Sequence, residues 1–139
     1  MFIYRVFVTI VNMDESTHMQ KYRWRRAAIK DHRLPLEEVV ESVLDDYRSA
    51  AGHLINARLA RFNLHEQNFD RLTRFIRDHP EALGGEELAG KLADCYEGLK
   101  TLRGSRVYGG RRDGEAIQNA EELLNAIKEL VGIDPDPSG

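Results

Sequence analysis

A mainly α-helical fold, an antiparallel bundle of about four helices with a short N-terminal β strand or hairpin, is what this sequence predicts. Three observations carry the expectation. Apolar residues recur at spacings of three and four through most of residues 35–132. Proline and glycine interrupt that pattern at a few points only, and the first eleven residues alternate with a period of two instead. The chain accordingly divides into a β-prone and basic-aromatic segment at 1–34 packed on the bundle, a helical bundle at 35–132, and a disordered tail at 133–139.

The strand comes first. Phe2, Tyr4, Val6, Val8 and Ile10 would share one face, with Ile3, Arg5, Phe7, Thr9 and Val11 on the other. β-Branched and aromatic residues dominate this run, which favours strand over helix. A lone strand leaves its backbone without partners. Residues 12–17 are therefore expected to loop into a hairpin returning through Gln20 to Arg25, and Arg106 to Tyr108 offers a second edge.

From Pro35 the period changes. Leu36, Val39, Val40, Val43, Leu44, Tyr47, Ala50, Ala51, Leu54, Ile55, Leu59 and Phe62 form one stripe along a long helix. Pro35 suits the first helical position, and Glu37 and Glu38 suit the positive end of the dipole. Gly52 costs about 1 kcal/mol against alanine in a helix interior, so it marks a close crossing or a bend. Asn63 is the expected C-terminal cap. At about 27 residues this helix would be about 40 Å long. Shorter neighbours cannot cover all of it, so the strand or a second subunit is expected to cover the rest.

A second helix is expected from about His65 to Asp78, with Phe69, Leu72, Phe75 and Ile76 inward. His79-Pro80 ends it, because proline restricts the residue before it and has no amide to donate. Gly84-Gly85 turns the chain into a third helix with the stripe Leu88, Leu92, Cys95, Tyr96, Leu99 and Leu102, and Glu86 and Glu87 in its first turn. Five glycines between residues 98 and 114 predict a loop. A fourth helix then carries Ala116, Ile117, Ala120, Leu123, Leu124, Ile127, Leu130 and Val131, and Gly132 closes it.

Composition excludes several classes. With 42% hydrophobic and 31% charged residues in 139, the chain is too apolar for disorder and large enough for its own core. A net charge of -3 gives no overall attraction to polyanions. One cysteine, Cys95, leaves no internal disulfide. The run Phe2 to Val11 is shorter than the roughly 20 apolar residues a membrane helix needs, and it lacks signal-peptide flanks. A cytoplasmic protein without membrane partners is the expectation.

Two basic clusters are the candidate contact sites for a polyanion or another partner. Residues 18–33 hold six Lys/Arg against one Asp, including Lys21, Arg23, Arg25, Arg26 and Lys30, with Tyr22 and Trp24 interleaved. Cations on phosphates and aromatics on bases are the chemistry of a single-stranded nucleic-acid site. The same residues also describe an edge strand kept soluble by its charges. Residues 100–114 hold five Lys/Arg against one Asp, among them Arg103, Arg106, Arg111 and Arg112. Their glycines could cradle an anion at the following helix N-terminus, yet no phosphate-loop motif is present. A charged interhelical loop explains them as well.

Arg74-Phe-Ile-Arg-Asp-His79 matches a loose Arg-four-residues-His pattern of one helical ribonuclease superfamily, but His79 reads more simply as a cationic helix terminus. The five histidines do not pair at helical spacings, so no metal site is expected. Cys95 lies on an apolar stripe and reads as a structural thiol. No cofactor motif occurs and no catalytic constellation stands out. A non-catalytic interaction or assembly module, such as an adaptor, inhibitor or subunit, with a protein partner or homo-oligomeric state, is the expected function. The alternative is a nucleic-acid-binding accessory or regulator using segments 21–33 and 100–112.

Overall fold

The computed structural model describes residues 14–30, 36–104 and 111–132. Among these residues there are five α-helices and no strand. They are α1 (Glu15–Lys30), α2 (Leu36–Ala60), α3 (Leu72–Asp78), α4 (Glu86–Gly104) and α5 (Arg111–Val131). The strand expected at Phe2 to Val11, the edge at Arg106 to Tyr108 and the tail from residue 133 lie outside the described residues.

The expected hairpin return through Gln20 to Arg25 is instead the middle of α1. Asp14 starts this helix: its Oδ1 accepts the Thr17 amide at 2.8 Å, satisfying one donor of the first turn. That bond holds the Asp14 carboxyl below its ordinary value. The inward face carries Met19, Tyr22 and Ile29, together with His18 and Arg26. Two polar members on so short a stripe disguise its helical period. Each is tolerated because it finds polar partners across the interface.

Helix α2 is the centre of the domain, in contact with α1, α4 and α5. The predicted stripe is buried from Val40 to Leu59, and Asn56 and Ala57 are buried beside it, so α2 is enclosed on more than one side. Phe62 falls after the helix and is exposed. Helix α1 lies antiparallel along α2, with Arg25 at Asp46, His18 at His53 and Glu15 at Arg61. Among the described residues, α1 covers this side of the long helix. Helix α5 runs parallel to α2, with Glu121 at Tyr47 and Val131 at Arg58.

Asn63 ends α2 in the left-handed region, at φ 58°, and the Leu64 amide returns to the Leu59 carbonyl at 3.1 Å. The helix expected from His65 is shorter than its pattern. Residues 64–68 are extended or irregular, Phe69–Arg71 form a 3₁₀ turn, and α3 starts only at Leu72. Asn56 explains the delay. Its side-chain amide donates to the Glu66 carbonyl and accepts the Glu66 amide, both at 3.0 Å. A backbone held in that way cannot also join an α-helix. Asn68 then caps the 3₁₀ turn by accepting the Asp70 amide at 2.9 Å.

Of the close crossing and the bend open to Gly52 in the sequence, the structure shows a close approach. A β-carbon there would stand 2.7 Å from two ring carbons of Phe69. His79-Pro80 ends α3, and Gly84 and Gly85 turn the chain at φ 88° and 112°, where other residues are strained. In α4 the buried stripe is Ala89, Leu92, Ala93, Tyr96 and Leu99. Leu88, expected inside, is exposed and packs against Gly84 in the turn below it. Arg58 closes the far end: its guanidinium donates to the Ala82 carbonyl at 3.1 Å and to the Val131 carbonyl at 2.9 Å.

Candidate functional site

Helix α1 carries most of the chemistry, and its two faces differ. The outward face presents Gln20, Arg23, Trp24, Ala27 and Ala28, with Trp24 62% exposed. Trp24 is the most exposed large apolar residue described. It is not the buried anchor of an edge strand, because α1 turns it away from the core that receives Tyr22 and Arg26.

The basic residues of this segment do not act as one set. Arg25 donates to Asp46 at 3.0 Å, and Arg26 pairs with Glu121 of α5. Lys21 sits partly covered above the histidines described below, and Arg23 lies on the outward face. Lys30, Arg103, Arg111 and Arg112 belong to helices, but their side chains lie outside the described residues, as does Arg106 altogether. The structure therefore spreads the α1 cations around the helix and commits Arg25 and Arg26 to carboxylates.

The inward face holds a feature that spacing along the chain did not announce. His18 of α1 reaches His53 of α2, Nδ1 to Nδ1, at 3.0 Å, and His65 beyond α2, Nε2 to Nδ1, at 3.1 Å. His18 is only 1% exposed. The rings overlap as well: His18 stacks on His65 at 4.9 Å between centroids, and His53 meets the Phe69 ring edge-on at 5.4 Å. Burial, reinforced by the neighbouring rings and Lys21, holds His18 down at about 3. Burial, then the Lys21 and Arg25 charges, holds His53 at about 4, and burial lowers His65 too. All three are neutral at pH 7.

Each element places its histidine for a local reason. The Asp14 cap fixes the first turn of α1 and thus His18; Gly52 admits Phe69 beside His53; the Asn56–Glu66 pair holds the strand-like stretch with His65. The residues are far apart in sequence, so no motif could reveal the trio. The one available signal was His18 falling four residues before Tyr22 and next to Met19, on the face that α1 turns inward. Among the described residues no group of three or more His, Cys, Asp or Glu is arranged to hold a metal ion. The reason here is geometric: the two ring nitrogens of His18 point to different partners, so the three imidazoles form a chain rather than converge on one point.

The remaining candidates are structural in their contacts. His79 Nδ1 donates to the Phe75 carbonyl at 3.0 Å and its ring lies on Phe75, closing the end of α3. Arg74 is exposed and reaches Asp78, not His79. Cys95 is half-buried, and burial raises its thiol, which disfavours the reactive thiolate. No described helix is long and apolar enough to cross a membrane. Comparison with protein-family models finds no match, and neither the curated proteins nor the solved structures give a significant one.

Proposed function

We propose that the protein is a non-catalytic helical interaction module whose contact surface is the outward face of α1, anchored by Trp24. The single observation that carries this is the 62% exposure of Trp24 on a helix whose opposite face buries His18, Met19 and Tyr22. Tryptophan buries more area per residue than almost any side chain and dominates the energetics of contacts it enters. Ala27 and Ala28 beside it leave room for a partner to approach the helix. Helix α1 covers the stripe of α2 from Val40 to Leu59, so the reading rests on the face of α1 and not on the length of α2.

Nucleic-acid binding is the competing reading, and Trp24 beside Arg23 is what favours it. Against it stand the net charge of -3 and the engagement of Arg25 and Arg26 with carboxylates. A protein partner needs no field of free cations, so it is preferred. The test compares wild type with Trp24→Ala by light scattering across a concentration series and by stoichiometric co-purification. Wild type is expected to self-associate or retain a protein in fixed ratio, and Trp24→Ala to do neither while melting at the same temperature. Identical behaviour of the two proteins, or binding to single-stranded nucleic acid that falls steeply with salt, would overturn the proposal.

A further inference from the structure

The His53–His18–His65 chain has a property that follows from counting protons. Two gaps between rings each need one hydrogen, and each outer ring has one more nitrogen. That makes four places. Three neutral imidazoles fill three of them, in either of two tautomeric orders, with His18 donating to one neighbour and accepting from the other. One extra proton fills the fourth place without breaking a bond. A second extra proton must put two hydrogens into one gap, where they repel.

We propose that this chain is a proton-operated latch on α1: it stores one proton intact, and a second parts His18 from a neighbouring ring and lifts the N-terminal half of α1 from α2. Geometry supplies the mechanism. The three rings come from three different elements, so separating them separates the elements. His18 is 1% exposed, so a second charge cannot be hydrated in place. The charged groups around the chain do not rescue it. Lys21 opposes further positive charge on all three rings and Arg25 on His53; Asp14 offsets this only in part at His18, and at His65 Glu66 outweighs Lys21 but burial still lowers the ring. Glu15 and Arg61, at the start of α1 and the end of α2, are paired with each other.

The direction with pH follows. The ordinary histidine value is 6.5, while in the closed fold His18 lies at about 3 and His53 at about 4. The open state therefore binds more protons than the closed one between those values. Closure is fully favoured above pH 6.5 and weakens as the pH falls from there, by up to about tenfold per pH unit for each histidine that titrates.

Amide hydrogen exchange, corrected for its intrinsic pH dependence, measures the opening of α1 against α4 as an internal reference. In wild type the opening constant of α1 is expected to rise more than tenfold per pH unit below 6.5, ahead of α4. His18→Leu, which keeps the volume and removes the central ring, should flatten that rise; His65→Gln should do the same and serves if the leucine variant fails to fold. Equal slopes in wild type and variants would overturn the latch, as would α1 and α4 opening together. So would protection of α1 by added Zn²⁺ in wild type but not in His18→Leu, because the rings would then be turning to bind metal.

Discussion

Arg26 of α1 grips Glu121 of α5 with both arms of its guanidinium, one at 2.8 Å, while the Tyr47 hydroxyl of α2 donates to the same carboxylate at 2.5 Å. Three helices meet at one acidic side chain. Burial, then the Glu121 contact, pushes the Tyr47 hydroxyl up to about 12, so it remains a donor at any ordinary pH. The hydrogen bond to Glu121 likewise raises Arg26.

Breaking this junction should loosen α1. Arg26→Met removes both guanidinium bonds and leaves Glu121 with less compensation. The side chains are 19% and 35% exposed, so the loss should be smaller than for a fully buried pair, about 1–3 kcal/mol. Urea unfolding measures it. Combining Arg26→Met with Glu121→Gln should cost less than the sum of the two. A neutral Arg26→Met would mean that α1 is held without this pair.

Gly52 sets helix propensity against packing. Alanine there gains about 1 kcal/mol of helix propensity. The new β-carbon would nevertheless meet the Phe69 ring at 2.7 Å, and overpacking costs about 1–3 kcal/mol. Gly52→Ala should therefore destabilise the fold, and Phe69→Leu in the same chain should recover part of the loss. Stabilisation by Gly52→Ala alone would show that Phe69 moves freely.

These two sites mark what the sequence could and could not disclose. Helix α2 was legible from Val40 to Leu59 because its stripe is apolar without interruption, and Asn63, Gly84 and Gly85 fall at backbone positions that favour them. Helix α1 was not. Its start signal was present in Asp14 and Thr17, but Arg26 and His18 occupy its inner face, and polar residues there erase a periodic pattern. The basic, aromatic composition of residues 21–26 then read as a strand. The delayed start of α3 was hidden for a related reason. One buried amide, Asn56, takes the Glu66 backbone out of helical use, and nothing local to residues 64–68 says so. The histidine trio, joined across 35 and 47 positions, is a product of the fold alone.

Asn56→Ala tests that amide. It leaves the Glu66 amide and carbonyl without their partner at a buried helix face, which should cost about 2–3 kcal/mol. Residues 64–68 should also become the preferred site of limited proteolysis. A loss well below about 1 kcal/mol with unchanged cleavage would mean that the segment is held by other contacts.

The outward face of α1 can be followed directly, because Trp24 is the only tryptophan in the chain. Its fluorescence reports one site. The decisive measurement is the emission maximum and iodide quenching of Trp24, read in the dilute chain and again on association with itself or a partner. Red-shifted, readily quenched emission when dilute, turning blue-shifted and protected on association, is what an exposed anchor on α1 predicts. Blue-shifted, protected emission from the dilute chain, or emission that does not change on association, would contradict it.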